Sequence, residues 1–244
     1  MRKNKIKILH VAQAAGGVDR YIRIDFVSYY LWRPICDFLS ILLMGKIEAT
    51  TVTILSFYAC IISLACFSLK IGIAGVLLGY FFLWVWNIAD GIDGNIARYT
   101  DTCSKSGDLW DAVAGYAAMI VFYLGAGLVA AHEDSIFQLA FMKSEDYVLM
   151  GAVAAICMIF PRLATQKKQA VYGAGASAAF KDKTQYSFVK KAALNITSIN
   201  GLAGLLFLFA IVLRLTNIFV IGYFVVMLFF GAASLYSVMS HLEK

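Results

Sequence analysis

Residues 87–115 read "NIADGIDGNIARYTDTCSKSGDLWDAVAG", a charged stretch in an otherwise apolar chain. Five aspartates and one arginine stand here between two apolar runs. Asp90 and Asp93 are spaced i and i+3, as are Asp108 and Asp111, so each pair shares a helix face. The short polar segment "YTDTCSKS" at 99–106 is predicted to turn the chain between the two helices. The hairpin then sets two acidic faces together at one depth.

The surroundings are those of a membrane protein. The 244 residues are 61% hydrophobic and only 15% charged, and the mean hydropathy is +0.76. A soluble domain is nearer half apolar and a quarter charged. Six stretches approach the ~20 apolar residues needed to span a bilayer: about 51–69, 71–97, 108–131, 147–163, 197–213 and 217–239. Residues 29–46, "YYLWRPICDFLSILLMGK", interleave apolar residues with Arg33, Asp37 and Lys46. They are expected to form an amphipathic helix lying in the membrane interface. The fold class expected is all-α integral membrane, with six transmembrane helices preceded by that interfacial helix. The expected division is a cytoplasmic segment 1–28, the interfacial helix 29–46, a membrane domain 47–240 and a tail 241–244. With both termini in the cytoplasm, 18 of the 21 Lys and Arg residues fall on inside segments; only Lys70, Lys143 and Arg214 fall outside. That asymmetry obeys the positive-inside rule. The net charge of +6 therefore belongs to the cytoplasmic face and suits anionic lipid headgroups and phosphorylated substrates. Because the basic residues flank membrane spans, nucleic acid is excluded as a partner. The N-terminal residues lack the pattern of a signal peptide. The five cysteines show no metal-ligand spacing and are expected as reduced or buried thiols.

Carboxylates beside hydrocarbon are costly and are functional candidates by default. Sharing hard divalent cations keeps several of them ionised, and such ions commonly carry substrate phosphates. Gly91, Gly94 and Gly107 remove side chains where a ligand approaches, and Arg98 supplies a forked phosphate donor. The expectation is a metal–phosphate site at the cytoplasmic surface. Asp101, in the loop, is expected to be only solvated.

The run Asp90-x-x-Asp93-Gly94-x-x-Ala97-Arg98, followed by Gly107 and Asp111, resembles the signature of the CDP-alcohol phosphotransferases. "DRYIRIDFVSYYLWRPICDFLSILL" looks like the interfacial-helix region of members acting in inositol-phosphate and cell-envelope chemistry, and "KIEATTVTILSF" is similar to the segment opening their first span. The resemblance implies transfer of a phosphoalcohol group from a CDP-alcohol to an acceptor hydroxyl, with release of CMP. It implies two divalent cations, Mg2+ or Mn2+, held by Asp90, Asp93 and Asp111. Gly94, Ala97, Arg98 and Gly107 would line the nucleotide site. The implied partners are a CDP-alcohol donor, lipid or soluble, a hydroxyl acceptor, membrane lipids and a second copy of the chain, since dimers are common in the family.

The signature ends in a fourth aspartate, the presumed base that accepts the acceptor's proton, and here that position is Gly115. Three readings follow. The base comes from elsewhere, with Asp108 the nearest spare carboxylate and a substrate group or a water as alternatives. Gly115 makes room for a bulkier acceptor. Or the chain binds CDP compounds without turnover. Ala49-Thr50 replaces the family's usual Pro-Asn, so no role carries over to the residues around Thr53. The basic stretch Arg162–Lys191 is a candidate for holding an acceptor phosphate or lipid headgroup. His10, His132 and His241 have no expected ligand role. Gly72, Gly75 and Gly79 are expected to serve close helix packing. A membrane prenyltransferase and a transporter are the rival classes. The first places its second acidic motif several helices later, and the second tends to bind at the bilayer midplane.

Overall fold

The apolar runs form helices, as a chain without water to satisfy its backbone must. A computed structural model of the protein describes residues 9, 25, 27–133, 135–137, 139, 141–173 and 188–240. Most of the segment 1–28, the tail 241–244, His10, His241, Lys181 and Lys183 lie outside the described residues. A π-helical turn at Ser28–Trp32 runs into α1, Arg33–Leu43. Then follow α2 (Ala49–Ser68), α3 (Gly72–Thr100), α4 (Lys105–His132), α5 (Ser144–Tyr172), α6 (Phe188–Thr197), α7 (Leu202–Val212) and α8 (Thr216–Met239). Among the described residues there is no strand.

Five of these helices, α2, α3, α4, α5 and α8, are long and apolar enough to cross a membrane. The stretch expected as a span over 197–213 differs: its helix begins only at Leu202 and has 11 residues. The break has a local cause. Gly201 N–H donates to Ser198 O at 3.1 Å, a turn suited to the sequence Ser198-Ile199-Asn200-Gly201. Ending α6 there leaves carbonyls without intrahelical donors. The hydroxyl of Tyr223 donates to Ile196 O at 2.9 Å and that of Tyr123 to Thr197 O at 3.2 Å. The first bond is part-buried and the second buried, and tyrosines from α8 and α4 thus replace missing helical donors. Beyond the turn, Tyr80 of α3 donates to Gly204 O. At its far end α7 turns at Arg214, whose carbonyl accepts from Ser135 Oγ and Ile136 N in the loop after α4.

The core fills the centre of this bundle. Phe122 and Phe207 are fully buried, and Phe207 packs its ring against Phe67, Phe122 and Phe219. Small residues let α4 and α5 approach closely. A Cβ on Gly127 would lie 2.5 Å from Tyr147 O, and one on Gly151 would lie 2.5 Å from Tyr123 O. Of the three glycines opening α3, Gly79 serves packing as expected, since a Cβ there would meet the Phe67 ring at 2.7 Å.

Helix α1 lies against α3 with Trp32, Cys36 and Ser40 buried, while Leu31, Ile35, Phe38 and Leu42 stay exposed. Beneath it Met44, Val52, Ile92 and Ile96 form a second apolar cluster. Helix α3 has 29 residues, about 44 Å at the helical rise. That exceeds the ~30 Å hydrocarbon core. The surplus length carries the acidic motif in its last three turns.

Candidate functional site

The hairpin of α3 and α4 closes as its sequence dictates. Asp101 ends α3 in the left-handed conformation, φ 55°, which aspartate tolerates. Ser104 then caps α4 by accepting from Gly107 N at 3.0 Å. Asp101 is exposed, as expected for a solvated loop residue.

Inside the hairpin lies a cavity of about 410 Å3. All seven residues singled out in the sequence line it: Asp90, Asp93, Gly94, Ala97 and Arg98 from α3, and Gly107 and Asp111 from α4. Helix α1 adds Arg33, α2 adds Thr53, and the turn before α7 adds Asn200. The carboxylates of Asp90 and Asp111 interact directly across the hairpin. Asp93 turns elsewhere. Its Oδ2 accepts from Thr53 Oγ1 at 2.5 Å and its Oδ1 from Gly94 N at 2.6 Å. The three therefore share a cavity without converging on one point. Among the described residues no group of three or more His, Cys, Asp or Glu side chains is gathered closely enough to hold an ion. The donor chemistry still suits hard cations, because two adjacent carboxylates present only oxygen and repel each other unless positive charge lies nearby.

A polar chain outside the signature fixes the arginines. Asn95 is fully buried. Its Nδ2 donates to Asp37 Oδ1 at 3.1 Å and to Ser40 Oγ at 3.0 Å, and its Oδ1 accepts from Arg98 Nη2 at 3.2 Å. Arg33 pairs with Asp37 at 3.1 Å. Two guanidinium N–H positions, Arg98 Nε and Arg33 Nη2, remain buried with no partner among the described residues. Buried donors left open beside a cavity fit an oxyanion ligand. Gly94 makes Arg98's position available, since a Cβ there would lie 3.0 Å from Arg98 Nη2.

A second cavity, also about 410 Å3, adjoins the first. Asp90, Asp111 and Asn200 line both. Gly115, Tyr116, Arg162, Ser198 and Asp25 line only the second. A Cβ at Gly115 meets nothing within 4 Å among the described residues, so the position opens on the cavity. Asp108, the spare carboxylate nearest in sequence, lines only the first cavity. Of the basic stretch, Arg162 reaches the second cavity, whereas Lys168 is buried and donates to Val238 O at 3.0 Å, tying α5 to α8.

Several of these residues escaped the sequence reading. Thr53 follows the point where the chain departs from the family's usual Pro-Asn. Asn95 occupies an unspecified position between the signature residues Gly94 and Ala97, where a polar side chain beside Ile96 was the available signal. Asp25, Ser198 and Asn200 are far from the motif in sequence, and only the fold brings them to it.

A search of curated proteins finds no match to this chain. The family model described as CDP-alcohol phosphatidyltransferase matches residues 47–233, spanning α2 to most of α8 and enclosing both acidic helix ends. The family transfers phosphoalcohol groups from CDP-alcohols in lipid synthesis. With the matching region covering well over half of its length, the chain belongs to the CDP-alcohol phosphatidyltransferase family.

Proposed function

We propose that this protein catalyses divalent-metal-dependent transfer of a phosphoalcohol group from a CDP-alcohol to an acceptor hydroxyl, releasing CMP, in phospholipid or cell-envelope lipid and glycan synthesis. What supports this most is that the signature residues of α3 and α4 share one cavity with two guanidinium groups, each with a buried N–H donor that has no partner among the described residues. Asp90, Asp93 and Asp111 would hold two divalent cations, Mg2+ or Mn2+, which would supply charge neutralisation for the diphosphate and for departing CMP. Arg98, steadied by Asn95, and Arg33, steadied by Asp37, donate to phosphate oxygens. Gly94, Ala97 and Gly107 keep the wall low where the nucleotide lies. The acceptor enters the second cavity, where Gly115 leaves space and Arg162 and Asn200 offer polar contacts. The transfer takes place where the two cavities meet, beside Asp90 and Asp111.

The membrane domain 47–240 crosses the bilayer six times, with both termini and the site on the cytoplasmic side. The segment 1–28 and the tail 241–244 lie in the cytoplasm, and the helix within 29–46 rests in the interface. The exposed apolar face of α1 supports that last assignment. The remaining crossing, fifth in chain order, is the interrupted pair α6 and α7. Their 10 and 11 residues amount to about 30 Å of helix. Unwound backbone at membrane depth is tolerated where it lines a cavity, and Ser198, Ile199 and Asn200 line the second one.

The experiment is to offer the purified protein a panel of CDP-alcohols with Mg2+ or Mn2+ and candidate acceptors, and to identify the headgroup retained in the product. Metal-dependent transfer from one donor class supports the reading. Binding of CDP compounds without any CMP release makes the chain a binder that does not turn over.

A further inference from the structure

We propose that Asp25 supplies the base that position 115 lacks, taking the proton of the acceptor hydroxyl in the second cavity. The inference rests on the transferase reading. It starts from a deficit: the signature's fourth carboxylate is absent, and the space beside Gly115 is open. Three aspartates line the second cavity, Asp25, Asp90 and Asp111. The last two also line the first cavity, against the donor's diphosphate. Among the described residues Asp25 is the one carboxylate confined to the acceptor side. Asp108 is confined to the other.

Asp25 is held for such a role. Its Oδ1 accepts from Ser28 N at 3.2 Å at the start of the first helix. Its Oδ2 accepts a hydrogen bond from Ser198 Oγ, in the turn between α6 and α7. A Cβ on Gly201 would lie 2.8 Å from Asp25 Oδ1, so the glycine of that turn gives the carboxylate its seat. The N-terminal segment thus brings a carboxylate to the wall that α4 leaves bare. In the step, the acceptor O–H bond breaks as its proton passes to the Asp25 carboxylate. The acceptor oxygen forms the new bond to the donor's β-phosphorus. The bond from that phosphorus to the bridging oxygen breaks, and CMP leaves with the electron pair. Water then takes the proton from Asp25.

A structural role alone, capping the helix and tying it to the turn, is separable from this one. Asn caps helices as well as Asp and keeps an acceptor oxygen. Asp25→Asn should therefore melt at the wild-type temperature and keep the wild-type KM for the CDP-alcohol. Its kcat should fall by ~10²–10⁴-fold, the usual worth of general-base help. Gly115→Asp placed in the Asp25→Asn background returns a carboxylate through the open space, and should recover kcat at least about tenfold on that same scale. A second measurement is independent of that variant's folding: formate added to Asp25→Ala should raise its kcat. An active wild type with Asp25→Asn turning over at its rate overturns the inference and leaves the transferase reading intact. So does a loss that neither Gly115→Asp nor formate repairs. A wild type that releases no CMP from any CDP-alcohol overturns both.

Discussion

Replacing Asn95 tests whether a residue outside the signature organises the nucleotide site. The side chain is fully buried and makes at least three hydrogen bonds: to Asp37 and Ser40 of α1, and from Arg98 of its own helix. Asn95→Ala removes all three. Two of them involve charged partners, for which each bond contributes ~1.5–3 kcal/mol, while a neutral bond contributes ~1 kcal/mol. Partial repair by water lowers the sum, and a loss of about 3 kcal/mol is expected. For a chain of this size that corresponds to about 6–12 °C in melting temperature. The assay is thermal unfolding in detergent, paired with titration of CMP. Arg98 loses the acceptor that orients it, so CMP affinity should fall about tenfold, the equivalent of one ordinary charged hydrogen bond. Asn95→Asp separates the two effects. It keeps an acceptor for Arg98 but sets a carboxylate against Asp37, so it should lose stability while retaining more affinity than Asn95→Ala. Wild-type melting and wild-type CMP affinity in Asn95→Ala would show that Asn95 does not hold Arg98 in place.

Gly94→Ala places a methyl 3.0 Å from Arg98 Nη2 and forces the guanidinium aside; CMP affinity should drop by about tenfold in titration, with melting little changed. Thr53→Val removes the hydroxyl that donates to the buried Asp93 carboxylate; a stability loss of ~1–3 kcal/mol should appear in thermal unfolding, and turnover should fall with it. Tyr223→Phe strips the donor from Ile196 O at the end of α6 and should cost ~1–2 kcal/mol by the same measurement. Gly151→Val drives a side chain into the Tyr123 carbonyl and separates α4 from α5, so the protein should fail to yield a monodisperse peak on size-exclusion chromatography.

What the sequence revealed was what local pattern controls. The i, i+3 spacing of Asp90 with Asp93 and of Asp108 with Asp111, and the turn between the pairs, were enough to set the signature residues around one cavity. Five of the predicted spans are single helices because hydropathy alone decides them. The stretch 197–213 is not one continuous helix, because apolar content continues across Ser198–Gly201 while the helical backbone begins only at Leu202. The donors that permit the break are Tyr123 and Tyr223, which no local window contains. The orientation of Asp93 was equally hidden. It depends on Thr53, 40 positions earlier. The same holds for the second cavity, assembled from residues near 25, 115, 162 and 198.

In the proposed reaction the acidic hairpin of α3 and α4 carries a metal-dependent release of CMP. The direct measurement is CMP formed from CDP-alcohols by the purified protein, with Mg2+ or Mn2+ and after chelation, for wild type, Asp90→Asn and Asp111→Asn. The expected result is release by wild type that stops on chelation, returns with the metal, and is lost in both variants while they still fold. CMP release that persists under chelation, or that survives in Asp90→Asn and Asp111→Asn, would contradict it.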